Sequence, residues 1–532
     1  MLWVLVSGCS DPAQPAAQRD ASLATDARRD GSVGAPVVLT GSGAVRGALR
    51  GTSRAFLGIP FAAPPVGARR WAPPEPPAPW TEARDATQLG PSCPQTALPS
   101  DLLPPRFSED CLTLNVWTPD PAPRAPAPVM VWLHGGGFFS GGSAAPFLDG
   151  QRLSEQGGVV VVSLNYRLGQ LGFLAHPSLP APGANWGLLD QQAALRWVRD
   201  NIAAFGGDPT RVTLFGESAG GSAVCLQTFV PSSRGLFQRI VLQSGPCMAT
   251  AVGGDFDLAR SRGYANALVA ALGCDTASDV LGCLRAKPAE QVTQTLPSEL
   301  GAVVTPGRQW EPVADGSFLP QPPALAVKTT DLHGLTALVG SNADEGTLML
   351  LLAGLWNPSA QDYARVVEAR VGTTAAAAVL ARYPGGTGTT LRDALSAIVG
   401  DSTFVCGARR AARALTAAGA AVYGYAFSHA PATVRPAPLP LGAYHTAEVF
   451  FLFQRPEAYG TFTAAEDALS RQMVGYWTRF ARDGAPGGDA PAWPRFDPAT
   501  DTILGLDLTA ATITGWRRSE CDFWDSLTPL AP

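Results

Sequence analysis

Gly216-Glu217-Ser218-Ala219-Gly220 is the stretch of this chain best suited to do chemistry. Glycines two before and two after a serine permit a strained turn from strand to helix that lifts the hydroxyl out of the backbone. Val212–Phe215 immediately before it is strand-like, and Gly221, Ser222, Ala223 and Val224 after it suit a helix. In that context Ser218 is the expected nucleophile. A serine hydroxyl needs a base, and the chain has only five histidines: His134, His176, His333, His429 and His445. After an elbow of this kind the acid comes next in the chain and the histidine last, which leaves His333, His429 and His445. His333 precedes a strand and His429 closes one. His445 sits in the loop Gly442-Ala443-Tyr444-His445-Thr446, where a strand-end site would place it, and is the expected base.

The acid should lie between the two, on a loop after a core strand. Leu338-Val339-Gly340-Ser341-Asn342-Ala343-Asp344-Glu345-Gly346 supplies two adjacent carboxylates, and spacing alone does not choose between Asp344 and Glu345. Acyl transfer also needs donors for a developing oxyanion. Gly135, Gly136 and Gly137 follow the strand that ends at His134, and their bare backbone N–H groups, with that of Ala219, make a complete oxyanion hole. Activity should then fall as His445 takes up a proton, near or below neutral pH.

These residues must be held by regular elements. Val129–His134, Val159–Leu164, Val212–Phe215, Ile240–Gln243, Leu335–Gly340 and Val422–Ser428 are short β-branched or aromatic runs bounded by Gly, Asn or Ser, and read as strands, several of them buried on both faces. Leu188–Ala204 carries Leu189, Ala193, Trp197 and Val198 on one side, with Asp190, Arg196, Arg199 and Asp200 elsewhere, and reads as an amphipathic helix. Strands alternating with helices imply an α/β fold with a mostly parallel sheet covered on both sides and its site at the carboxyl ends of the strands.

Composition excludes several other classes. Gly and Pro make up about a fifth of the 532 residues, yet the hydrophobic share is 46%, which a disordered chain does not carry. Lys and Arg total 39 against 44 Asp and Glu, a net charge of -5, so there is no basic field for a nucleic acid. No apolar run reaches the roughly 18 to 20 residues that span a bilayer.

Nine cysteines leave one odd. The spacings of Cys93 to Cys111 and of Cys274 to Cys283 fit locally stapled loops, whereas Cys225 and Cys247 lie in apolar surroundings and read as buried thiols. No pair forms a Cys-x-x-Cys knuckle, so no metal is expected and an oxidising compartment is favoured. Residues 1–9 end Val6-Ser7-Gly8-Cys9, like the tail of a bacterial lipoprotein signal with Cys9 as the lipidated residue. Residues 10–36 are Ala, Asp, Arg, Pro and Gln with little to bury, a flexible tether ahead of a catalytic domain over 37–532. The protein is thus expected outside the cytoplasm, as a bacterial lipoprotein on a membrane anchor at Cys9 or as a secreted or periplasmic form.

Longer motifs carry a family resemblance. The run from Phe205 through Gly220, the run Glu109-Asp110-Cys111-Leu112-Thr113-Leu114-Asn115-Val116-Trp117-Thr118-Pro119, and Phe56–Pro60, Asn165-Tyr166-Arg167 and Cys521–Trp524 make the chain resemble the type-B carboxylesterases of the α/β-hydrolase fold, from about Gly43 to Leu527. That family includes cholinesterases and bacterial esterases. The resemblance implies a central, mostly parallel sheet flanked by helices with large inserted loops and helices. It implies Glu345 as the acid, His445 as the base, Gly136, Gly137 and Ala219 as oxyanion donors, and disulfides Cys93–Cys111, Cys274–Cys283 and Cys406–Cys521. The implied activity is hydrolysis of a small-molecule ester through an acyl-enzyme, with no cofactor. Some members are non-catalytic adhesion proteins, and lactones, carbamates, polyesters or peptides are alternative substrates. In cholinesterases the first bridged loop is longer and carries a Trp that stacks on choline; Pro94–Asp110 has none, so the resemblance does not extend to choline esters.

Overall fold

The structure, a computed structural model, describes residues 35–95, 106–245, 247–248, 256–386, 389–432, 439–456, 460–487 and 491–527. Cys9 and the segment assigned to the signal, with nearly all of the tether, lie outside these residues.

Eleven strands form the main sheet among the described residues: β1 Ala48–Arg50, β2 Ser53–Pro60, β3 Thr113–Pro119, β4 Ala127–Leu133, β5 Val160–Leu164, β6 Gly207–Glu217, β7 Arg239–Gln243, β8 Thr336–Asn342, β9 Ala421–Phe427, β10 Thr502–Leu506 and β11 Ala511–Thr514. Their order is β11-β10-β9-β8-β7-β6-β4-β5-β3-β2-β1. From β5 through β10 every pairing is parallel, and antiparallel strands close both ends. The exchange of β4 and β5 in the order opens the crevice at which α/β sheets hold their sites.

The central strands are apolar throughout because both faces are covered. Every residue of β4 is buried. Val129, Val131 and Leu133 point into one core and Met130 and Trp132 into the other, the alternation a strand imposes. Helix α1, Trp186–Asn201, covers one face. It starts two residues earlier and ends three residues earlier than the apolar spacing predicts, and Ile202–Phe205 continues as a 3₁₀ turn. Asp190, placed on the polar side by the sequence pattern, is buried instead. It can be, because Arg167 of the Asn-Tyr-Arg motif donates Nε and Nη2 to its two oxygens at 2.8 Å each.

Eight cysteines are paired. Cys93–Cys111, Cys274–Cys283 and Cys406–Cys521 are bonded as the resemblance implies. Cys225 and Cys247 are also bonded to each other, which corrects the reading of both as thiols. Cys225 lies in helix α2, Ala219–Phe229, and Cys247 in the turn after β7; packing of that helix on β7 brings them together. Among the described residues no helix is long and apolar enough to cross a membrane.

Candidate active site

Strand β6 runs into Ser218 and α2 starts at the next residue, so the serine stands at a corner. Its φ of 57° and ψ of -125° are strained for any residue with a side chain. The corner is tight enough that a Cβ at Gly220 would fall 2.0 Å from the Leu133 carbonyl oxygen, which is why only glycine serves there. The Ser218 N–H donates to the Gln243 carbonyl at 2.9 Å, fixing the elbow to the end of β7. The Ser218 hydroxyl forms no hydrogen bond among the described residues.

The three glycines after β4 lie against this corner. A Cβ on Gly135 would meet that of Ser218 at 3.1 Å. Gly136 has φ 104°, and a side chain there would run into the Ser140 carbonyl at 2.2 Å. That carbonyl sits inside a short turn in which the Gly136 oxygen accepts from the N–H groups of Phe139 and Ser140. Among the described residues the N–H groups of Gly136, Gly137 and Ala219 donate to no acceptor in the protein.

The expected acid and base follow β8 and β9. Asp344 turns outward, takes the Ala443 N–H at 2.8 Å and locks the two loops together. Glu345, which opens helix α3 (Glu345–Leu352), turns inward and is wholly buried. Its Oε2 lies 2.5 Å from His445 Nδ1, while Oε1 accepts from Ser244 Oγ at 2.5 Å and the Asn342 N–H at 2.7 Å. Of the two adjacent carboxylates that spacing leaves open, Glu345 is the one that meets His445, and Asp344 meets Ala443 instead. Nε2 of His445 lies 3.2 Å from Oε1 of Glu217, and the Thr446 hydroxyl donates to that same oxygen at 2.8 Å.

A third buried carboxylate, Glu448, stands behind the pair, in helix Ala447–Phe453. It accepts from Gln243 Nε2 at 3.1 Å and Asn342 Nδ2 at 2.6 Å. Burial disfavours every charge in this cluster. It pushes Glu448 up to about 8, helped by the charges of Glu217 and Glu345 and opposed by the two amides. It also raises Glu217, against the pull of His445 and Thr446. For His445 burial works downward, but the charges of Glu217 and Glu345, the hydrogen bond that His445 donates to Glu345 and the charge of Glu448 outweigh it and hold the imidazole at about 9. That is well above the near-neutral value expected from the sequence.

The other histidines have structural surroundings. His134 is buried, stacked on Tyr166 at 4.3 Å, and burial holds it at about 4 against a hydrogen bond to the Gly135 carbonyl. His429 bridges Asp507 and Glu466, and His333 pairs with Asp331 on the surface. His176 rests on Ser178.

Glu217, Ser244, Glu448 and Thr446 are members of this site that the sequence reading gave no role. Glu217 lies inside the nucleophile motif and Glu448 three residues after the histidine, so a carboxylate next to each was the available signal. Ser244 carried none.

A sequence profile of the carboxylesterase family matches residues 34–524. The chain is also similar to an acetylcholinesterase of Bungarus fasciatus, 36% identical over an alignment that covers 94% of this chain and 87% of that protein.

Proposed function

The chain belongs to the carboxylesterase family and is a carboxylic ester hydrolase, and on that premise we propose that it works by a Ser218–His445–Glu345 triad through an acyl-enzyme. The observation that carries this reading is the 2.5 Å contact of His445 Nδ1 with Glu345 Oε2, made by loops 100 residues apart, with Nε2 of the same imidazole 3.2 Å from Glu217, the residue before Ser218.

Glu345 holds the Nδ1 proton, leaving Nε2 to act as base. When substrate enters, Nε2 exchanges Glu217 for the Ser218 hydroxyl and takes its proton as Oγ attacks the ester carbonyl. The oxyanion is met by the N–H groups of Gly136, Gly137 and Ala219, each worth several kcal/mol when preorganised, about 3 to 4 by analogy with other oxyanion holes. The imidazolium returns its proton to the departing alcohol, and water, activated by the same base, releases the acid. The buried carboxylates favour the imidazolium that forms at each attack.

Four disulfides and the likeness to an acetylcholinesterase suggest an extracellular protein. The finer reading, a bacterial lipoprotein anchored at Cys9 by a tether over 10–36, belongs to this proposal. Palmitate labelling of the full chain that persists in Cys9→Ser would overturn it.

The central test is hydrolysis of p-nitrophenyl butyrate by wild type and Ser218→Ala, with a serine-directed organophosphate. Turnover by wild type, labelling at Ser218 and a silent variant support the triad. A folded wild type that neither turns over nor takes the label would sink it.

A further inference from the structure

One buried turn touches both members of the acid–base pair. Gly400–Val405 is π-helical and wholly buried. At its start, a Cβ on Gly400 would stand 3.5 Å from that of Glu345, so the backbone there abuts the acid. Four residues later the Phe404 ring lies 4.5 Å from the His445 imidazole, centroid to centroid, tilted by 43°. Both rings are buried, so the contact is made away from bulk water.

The turn is fastened on three sides. Arg370 is buried with no carboxylate partner among the described residues, and burial lowers its guanidinium to about 9. It donates to Ser402 Oγ and Thr403 Oγ1 at 2.6 Å each, and to the carbonyls of Val303 at 2.5 Å and Val304 at 3.0 Å. Asp401 accepts from the Tyr383 hydroxyl at 2.9 Å, and that hydroxyl accepts from Trp524 Nε1 at 2.9 Å. Cys406, the residue after the turn, is bonded to Cys521. A buried cation without a counter-charge is costly, and it is committed to six residues whose own sequence, Gly-Asp-Ser-Thr-Phe-Val, has no marked helical preference. π-turns of this kind recur at functional sites.

We propose that this turn is the positioning device of the acid–base pair and that Phe404 is a positioning residue for His445. The Phe404 ring sets the plane of the imidazole while Gly400 limits the approach of Glu345. The Tyr383–Trp524 relay and Arg370 hold the turn at that distance. This inference rests on the triad reading above.

Phe404→Leu keeps an apolar side chain and removes the ring. It is expected to lower kcat about tenfold with KM within about twofold, because small misplacements of a reacting group act on the chemical step. Organophosphate labelling of Ser218 should slow in parallel, and the pH midpoint of kcat/KM should fall because no ring faces the imidazolium. Phe404→Tyr, which retains the ring, should come back to within about threefold of wild type. Tyr383→Phe, remote from the reacting atoms, should lower kcat in the same sense by about threefold and decides the matter if Phe404→Leu does not fold.

A kcat and labelling rate within about twofold of wild type in the deciding variant overturns the inference. So does an equal loss in Phe404→Leu and Phe404→Tyr that only follows a falling unfolding temperature. His445→Ala separates the two readings. If it turns over ester at the wild-type rate the triad fails; if it is silent beside a fully active Phe404→Leu, only the positioning role fails.

Discussion

Nε2 of His445 lies 3.2 Å from Oε1 of Glu217, the residue immediately before Ser218. The expected base is therefore held between two carboxylates, Glu345 on one nitrogen and Glu217 on the other, with Glu448 behind. An imidazole in that setting keeps its proton up to about pH 9, and a protonated base cannot take the serine proton.

With a neutral ester, kcat/KM is expected to climb through neutral pH and reach half of its maximum at about pH 9. Glu217 is the largest of the charges that raise His445, so Glu217→Gln should move this limb to lower pH. An acid-shifted wild-type profile, flat above about pH 7, would contradict the arrangement.

Stability should run against activity. His445 is raised from its ordinary 6.5 to about 9, so its contribution is complete below 6.5 and is lost as pH rises through 9. Glu448 is raised from 4.5 to about 8, so the native state binds its proton more tightly and ionisation between those values also works against folding. Both signs agree, and the urea midpoint is expected to be lower near pH 9 than near pH 6. Glu448→Gln, which cannot ionise, should reduce that difference.

The glycine turn after β4 gives a third expectation. Gly136→Ala must displace the Ser140 carbonyl, which a Cβ would meet at 2.2 Å. We expect kcat to fall on the order of 100-fold, the effect of losing one oxyanion donor. Organophosphate labelling should slow, while circular dichroism stays that of wild type.

The disulfides should differ in weight. Cys406–Cys521 spans 115 residues and Cys274–Cys283 spans 9. On the chain-entropy relation, paired serine substitutions should cost about 4 to 5 kcal/mol for the first and about 2 to 3 for the second. Denaturant unfolding of the two double variants checks the order.

Much of this site could be read before the fold was known, because its backbone requirements are written locally. The elbow needs glycines at 216 and 220, and the oxyanion turn needs Gly136 and Gly137; each run follows a strand whose apolar residues announce it. His445 stands out differently: the chain has only five histidines, and of the three after the elbow it alone sits in a loop. What escaped depends on distant segments meeting. Glu448 reads as an ordinary polar residue until Gln243, 205 residues earlier, reaches it. Apolar surroundings correctly marked Cys225 and Cys247 as buried, but burial says nothing about oxidation, which turns on how helix α2 packs against β7. Strand β6 begins five residues before Val212, yet Gly-Asp-Pro-Thr does turn: Gly207 pairs with Ala127 and Val212 with Val129, and the residues between bulge from the ladder with Asp208 accepting the Thr210 N–H. The π-turn at Gly400–Val405 has no local signature at all.

The four disulfides join each described cysteine to the next one along the chain: Cys93 to Cys111, Cys225 to Cys247, Cys274 to Cys283 and Cys406 to Cys521. Of the roughly 105 ways to pair eight cysteines, this is the one in which no bridge must wait for a later partner while another forms between its ends. Among these eight, each correct partner is the nearest free thiol to a chain that enters an oxidising compartment amino-end first. For a chain delivered in that way these eight can oxidise in order, with little call for an isomerase to undo mismatched pairs.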